Sequence, residues 1–436
     1  MQVGIRVFSL SRFITLASFV DKLVLGRNGD LMATTEKYDK VRKSDSSEAV
    51  GRAKFLKDVL VCSLGAYGGP EAHMGVFMNQ MVSKRKYLTE EELVELLALC
   101  SILPGPTSTQ TIVAIGYKKG GPMLALLTMM VWAVPVLLVM TALSFLYAIL
   151  SASHVSSDVL RFIGPMAVGF IIWAAYKIGR KVVTDKLTVM LMMFGGGATF
   201  FIRSPWIFPL VLIIGGVVSI VSSAEKDIWN KVQINPPWRY LNAFAFLALG
   251  SLVISFFTDI RTAQLFESFY RYGYLVFGGG QVVVPVMHSE LVVINGYMTN
   301  DEFLTGYGLV QGLPGPMFSF AAYAGGMASR DGTVVQQVLG ALAGGIGIFL
   351  PGLLLIYFVF PVWETVKKVR AVKISLKGIN AVAGGMISAA AVILMQANGF
   401  ELVHVVITVV TAGTLATKKV PSPAIVALVL MAGVLL

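Results

Sequence analysis

Leu103-Pro104-Gly105-Pro106-Thr107-Ser108-Thr109-Gln110 returns 210 residues later as Leu313-Pro314-Gly315-Pro316-Met317-Phe318-Ser319-Phe320. At the same spacing Gly68-Gly69-Pro70 returns as Gly278-Gly279-Gly280, Thr89-Glu90-Glu91-Glu92 as Thr299-Asn300-Asp301-Glu302, and Gly116 as Gly326. Proline removes a backbone donor and fixes φ, and the glycine between two prolines lets the chain turn, so each copy marks a helix break. A gapless repeat of such breaks in apolar sequence predicts a transporter of two related halves, with discontinuous helices around a central site.

The surrounding composition is that of a bilayer protein. Of 436 residues, 56% are hydrophobic and 14% charged, against about 25% charged in a soluble domain. Apolar runs near the roughly 20 residues a spanning helix needs cover 122–150, 159–178, 206–222, 240–257, 334–360 and 371–395. The net charge of +11 fits basic loops retained on the cytoplasmic side and calls for no nucleic-acid partner. Cys62 and Cys100 lie in apolar segments without metal or disulfide spacing, and His73, His154, His288 and His404 are scattered. No catalytic or cofactor motif accompanies them. The sequence therefore points away from an enzyme and implies no metal and no cofactor.

Loop charge sets the orientation. Lys84-Arg85-Lys86, Lys118-Lys119 and Lys177 with Arg180, Lys181 and Lys186 are basic in the first half, whereas the loop at 151–157 has no Lys or Arg. In the second half the counterpart of that neutral loop carries Lys367, Lys368, Arg370, Lys373 and Lys377, and the loops at 295–299 and 396–401 have none. By the positive-inside rule the halves lie upside down relative to one another. Placing Lys84–Lys86 and Lys118-Lys119 on one side requires 88–117 to enter and return with Pro104-Gly105-Pro106 at its turn, and 58–82 to do the same around Gly68-Gly69-Pro70. Four spans follow at about 122–150, 158–178, 187–202 and 206–222, and one helix near 240–258 flips the second half.

The expected fold is an all-α polytopic membrane protein of two inverted-topology repeats with re-entrant or broken helices, about 13 hydrophobic elements in all (six, one and six). Its predicted divisions are a cytoplasmic arm over 1–51, a first repeat over 52–222, a linker with the inverting helix over 223–261 and a second repeat over 262–436. Plasma membrane is the expected location, with an organelle membrane as the alternative.

Irregular backbone at membrane depth is tolerated inside protein or beside a polar cavity. The helix starts after the two turns, at Thr107-Ser108-Thr109-Gln110 and Met317-Phe318-Ser319-Phe320, present free amides and the positive dipole end. Together they are expected to form a cradle for an oxyanion, the alternative being ordinary helix breaks whose hydroxyls cap the restarted helix. The candidate binding set is Gly68, Gly69, Pro104, Gly105, Pro106, Thr107, Ser108, Thr109, Gln110, Gly278, Gly279, Gly280, Gln311, Pro314, Gly315, Pro316 and Ser319. Gln311 is expected either to line the cavity or to tie the two hairpins together. Glu71, His73 and Glu290 are candidates for proton coupling, with interfacial solvation as the plainer account. Thr89–Glu92 and Thr299–Glu302 read as capped helix starts.

These motifs resemble the chromate ion transporter family, in its long two-domain form. The first half is similar to its aromatic-Gly-Gly-Pro-x-Ala-His run at Tyr67–His73 and its Leu-Pro-Gly-Pro-x-x-x-Gln run at Leu103–Gln110. The second half resembles it at Phe277–Pro285, Asn300–Gly308 and Gln311–Tyr323. The likeness covers about residues 52 to 436. It implies thirteen spans with oppositely oriented halves and efflux of chromate from the cytoplasm, with sulfate as the related ion. Lipid and the oxyanion are then the expected partners, and a homodimer is compatible with them.

Overall fold

The computed structural model describes residues 51–152, 159–202, 207–223, 235–277, 280–367 and 369–435, without the side chains of Glu71 and 148–152. Residues 1–50 of the expected 1–51 arm lie outside the described residues, as do Gly278 and Gly279. The described residues form helices and no strand, which is the all-α polytopic architecture expected.

In the first half α1 is Arg52–Gly65, α2 Pro70–Phe77, α3 Glu90–Ile102, α4 Thr107–Ala152, α5 Ile163–Val182, α6 Lys186–Phe201 and α7 Ile207–Val221. Next comes α8, Trp238–Phe257. The second half holds α9 Arg261–Leu275, α10 Val283–His288, α11 Asn300–Val310, α12 Phe320–Met327, α13 Val334–Val359, α14 Arg370–Asn398, α15 Leu402–Thr417 and α16 Ser422–Leu435. Subtracting 210 lays α9 to α14 over α1 to α5, while α8 has no counterpart.

The match extends to the defects. α2 runs into a π-helical turn at Met78–Lys84 and α10 into one at Ser289–Ile294. Thr89 with Glu92 and Thr299 with Glu302 form reciprocal capping boxes at the starts of α3 and α11. α4 is two helices joined at Gly120 (φ −157°, ψ 21°) and Gly121 (φ 72°, ψ −165°), at the level where α12 gives way to α13.

Helix pairs α3 with early α4, and α11 with α12, return to the end from which they started. Lys118 Nζ lies 2.5 Å from Glu92 Oε1 at the base of the first, and Arg330 lies 3.0 Å from Glu302 at the base of the second.

The two halves run in opposite senses. Tyr357, near the end of α13, donates to the Pro122 carbonyl at the start of the long second part of α4, at 2.5 Å. Its own counterpart, Tyr147, sits at the far end of α4. Lys367, counterpart of residue 157, pairs with Glu95 of the first hairpin at 2.6 Å. In a parallel repeat that lysine would lie a membrane thickness from Glu95.

Thr107–Tyr147, Trp238–Phe257, Val334–Val366 and Arg370–Asn398 are long and apolar enough to cross a bilayer. The helices α6 and α7 fall where spans were expected, but with 16 and 15 residues they reach only about 24 and 22 Å of a roughly 30 Å core. As a pair they still leave the parity of the inversion unchanged. The halves also interlock: α14 packs on α6 and α7, and α5 on α15. Thr408 donates to the Pro165 carbonyl at 2.9 Å, and a Cβ on Gly385 would sit 1.9 Å from the Met192 carbonyl.

Candidate functional site

Each Pro-Gly-Pro joins the two helices of a hairpin, and its glycine takes a backbone angle that a side chain would strain: φ is 125° at Gly105 and 101° at Gly315. Neither turn is satisfied within its own half. The Gly105 amide donates to Val276 O and the Gly315 amide to Ala66 O, each at 2.8 Å. Val276 and Ala66 are the residues that end α9 and α1, so each turn rests on the broken helix of the opposite repeat. Pro104 and Pro106 flank the first turn, Pro314 and Pro316 the second.

After the first turn α4 starts at Thr107, so the amides of its opening turn have no intrahelical acceptor. The Thr107 carbonyl accepts from Thr111 Oγ1 at 2.8 Å. Ser108 Oγ lies 3.0 Å from His73 Nδ1, and Thr109 Oγ1 accepts from Trp132 Nε1 at 3.1 Å. Gln110 Nε2 donates to Pro104 O at 2.8 Å, bracing the turn, while its Oε1 is buried with no partner. After the second turn the chain makes a 3₁₀ turn, Met317–Ser319, before α12. Ser319 Oγ is buried without a partner.

Gln311 Nε2 reaches Met317 Sδ at 3.3 Å across its own turn. One expectation is corrected. Interfacial solvation does not describe His73 or Glu290, which are 2% and 7% exposed. His73 packs edge-on against Trp132, with ring centroids 5.4 Å apart, and its Nε2 is unpartnered. The Trp132 carbonyl in turn accepts from Ser63 Oγ at 2.8 Å, and a Cβ on Gly315 would lie 3.5 Å from that same Oγ. His73, Ser108, Trp132 and Ser63 thus run from the first helix start toward the second turn. Gly68 and Gly69 lie in the break between α1 and α2, where a Cβ on Gly69 would be 4.0 Å from Gln281 Nε2. Gly280 opens the matching 3₁₀ turn. The Glu71 side chain lies outside the described residues.

Of two buried polar nodes, the sequence reading named only Glu290. In the first half Asp58 on α1 accepts from Gln80 Nε2 (2.9 Å), Arg85 Nε (2.9 Å) and Tyr87 OH (2.6 Å). In the second half Ser268 on α9 donates to Glu290 Oε1 at 2.9 Å. Residues 268 and 290 are 58 and 80 plus 210, so the same two positions are bonded in both halves, with the carboxylate moved from one helix to the other. Around Glu290 the second node adds Arg271 and Glu267. Motif comparison is blind to this exchange, although pairing polar residues at the repeat offset inside apolar helices would have found it. Among the described residues no group of three His, Cys, Asp or Glu could hold a metal.

Outside the membrane-spanning segments, Lys367 is held above the usual ammonium range by Glu364 and Glu95. Asp185, which caps α6 and pairs with Lys377 of α14, is lowered to about 2, mainly by that lysine.

The family model described as chromate transporter matches residues 53–220 and 263–435, once for each half. A probable chromate transport protein of Synechococcus elongatus is 26% identical over 91% of this chain and 99% of its own length. The chromate transport proteins of Cupriavidus metallidurans and Pseudomonas aeruginosa are each 25% identical, over 83% and 79% of this chain and 87% and 80% of theirs. No solved structure matches it. With both halves matched and the relatives aligned across the unpaired helix between them, this inverted-repeat membrane protein belongs to the chromate transporter family.

Proposed function

We propose that the chain is a secondary carrier for a tetrahedral divalent oxyanion, exporting chromate with sulfate as the related ion, by alternating access between the two hairpin sets. The observation that carries this reading is the trio of buried, unpartnered polar atoms at and beside the two turns: His73 Nε2, Gln110 Oε1 and Ser319 Oγ. Buried polar groups are normally hydrogen-bonded and cost about 1–3 kcal/mol when they are not. A ligand binding beside the turns would give His73 Nε2 and Ser319 Oγ an acceptor.

The chemistry of the set suits an anion. With the Ser108 hydroxyl donating to His73 Nδ1, the ring carries its hydrogen on Nε2 and offers it outward. Ser319 brings a hydroxyl donor. Gln110 turns its amide hydrogens to a ligand only by a half-rotation that releases its brace on Pro104 O, and the Thr107, Ser108 and Thr109 amides add the helix-start field. The donors come mainly from the first half, because Met317, Phe318 and Phe320 stand where the first half has Thr107, Ser108 and Gln110. Family membership and the relatives' names support chromate as the cargo.

The test is movement of labelled chromate in proteoliposomes, with sulfate, molybdate and phosphate as competitors. Ser319→Ala and Gln110→Ala are expected to lower transport at least tenfold while the protein still inserts. A carrier accumulates label by counterflow against unlabelled chromate; a channel does not, and its flux would replace the alternating-access reading. A folded preparation that moves sulfate and not chromate would remove chromate as the cargo.

A further inference from the structure

We propose that Glu267, Arg271 and Glu290 form a proton-binding site within the membrane and that proton coupling of transport takes place there. Arg271 lies between two carboxylates. Its Nε and one terminal nitrogen reach Glu267 Oε1 and Oε2 at 2.7 and 3.1 Å, and its terminal nitrogens reach Glu290 Oε1 and Oε2 at 2.8 and 3.1 Å. The three residues are 8%, 5% and 7% exposed. With both carboxylates ionised they carry one uncompensated negative charge, and an unpaired buried charge costs far more than a paired one. Taking up one proton on either carboxylate removes that charge and leaves a balanced Glu–Arg pair.

The repeat shows that structure alone does not call for this arrangement. At the equivalent positions the first half makes the same tie between its first helix and its π-turn with one carboxylate, Asp58, balanced by Arg85. The second half makes that tie with Ser268 and Glu290 and then adds a second acid and a buried base. A further observation points to a mobile proton. The Tyr272 hydroxyl is buried beside Glu290, and its ring faces Arg271 with the guanidinium 5.5 Å from the centroid. Its O–H is a donor that closes on Glu290 when that carboxylate is the ionised member of the pair.

Among the described residues, the neighbouring charged and titratable groups have contacts of their own. Packed against α9, α13 carries no Asp, Glu, Lys, Arg or His. From α8, Arg239 contacts Tyr240, and from the α10 side His288 bonds Asn300. Arg261, ten residues before Arg271, sits 4.0 Å over the Tyr297 ring and donates to the Ala328 carbonyl. Tyr270 bonds the Phe244 carbonyl, and Tyr274 packs on Phe244.

Infrared difference spectroscopy of the protein in lipid reads the site without any anion. Beside the exposed acids, the wild type is expected to show one carboxyl band of a water-excluded environment per chain, and Glu267→Gln and Glu290→Gln are each expected to abolish it, because the remaining carboxylate then has a whole guanidinium. Ser268→Ala keeps both acids and is expected to keep the band, so that its loss in the glutamine variants traces to the carboxylates. A wild type without that band, a band that survives in both glutamine variants, or its loss in Ser268→Ala would overturn the site. The coupling role rests on the carrier reading: an imposed pH gradient should change chromate flux severalfold in the wild type and leave Glu267→Gln unresponsive. A variant that still responds overturns the coupling. A wild type that moves no chromate yet shows the band removes the carrier reading and leaves the proton site standing.

Discussion

The Gly105 amide donates to the Val276 carbonyl, 2.8 Å away, across the boundary between the two halves. Its counterpart, Gly315 to Ala66, has the same length. Each hairpin turn is thus held by the other repeat, and a displacement of one half is felt at the turn of the other.

The two glycines should not be equally replaceable. A Cβ on Gly105 would come within 2.7 Å of Gln110 Nε2, whereas on Gly315 it meets Val136 Cγ1 at 3.0 Å. Both sit at positive φ, where a side chain adds strain of roughly 1–3 kcal/mol. Gly105→Ala is expected to lower the melting temperature and also to dislodge the Gln110 brace, losing chromate flux, while Gly315→Ala keeps more of it. Gly197→Ala, with no atom within 4 Å of the added Cβ, serves as control. Equal flux in the two turn variants would show that the Gln110 contact does not matter.

The exchanged node can be tested by transplanting it. Asp58→Asn removes a carboxylate that accepts three hydrogen bonds, and should cost roughly 1.5–3 kcal/mol. Arg85, 41% exposed, then returns to solvent. Asp58→Ser combined with Gln80→Glu recreates the Ser268–Glu290 arrangement, and is expected to unfold at a higher denaturant concentration than Asp58→Ser alone. If adding the glutamate brings no recovery, the two nodes are not equivalent.

How much of this was legible in advance follows from what repeats visibly. Pro-Gly-Pro, the capped starts at Thr89 and Thr299, and the basic loops are local signals with one meaning each, and they gave the break positions, the opposed orientation and the unpaired α8. The Asp58–Gln80 and Ser268–Glu290 bonds repeat only as a contact, because the charge sits on a different partner in each half. Glu267 and Arg271 sit one turn apart on α9, which resembles a surface ion pair until α13 is packed over it. The fate of Ser108, Thr109 and Gln110 was hidden for a similar reason. Hydroxyls at a helix start read as ligand donors, yet two of them face His73 and Trp132, which are distant in sequence.

The Asp185–Lys377 pair joins the start of α6 to α14 and fixes a pH dependence. Asp185 is lowered to about 2, chiefly by Lys377, below the ordinary carboxylate value near 4. A depressed folded-state value means that stability is present above pH ~4 and is lost as pH falls toward 2. The melting temperatures of wild type and Asp185→Asn should therefore differ at neutral pH and converge as pH falls to about 2. Because both groups are solvent-exposed, salt should narrow the neutral-pH difference. A difference that persists at pH 2 would assign the effect to the Asp185 cap on α6 rather than to its charge.

The inversion itself has a direct readout. Glu91 and Asp301 occupy equivalent positions in the first turns of α3 and α11, and both are exposed. Cys62 and Cys100 are buried, so background labelling by a membrane-impermeant maleimide should be low. In an inverted repeat Glu91→Cys is labelled from the cytoplasmic face and Asp301→Cys from the opposite face; a parallel repeat would expose both on one face. The Glu95–Lys367 contact already requires opposition, because Lys367 lies beyond the far end of α13 and yet meets the base of the first hairpin. Labelling of both cysteines from the same side would mean that α4 and α13 do not cross in opposite senses, and the Tyr357–Pro122 bond would have to be abandoned with it.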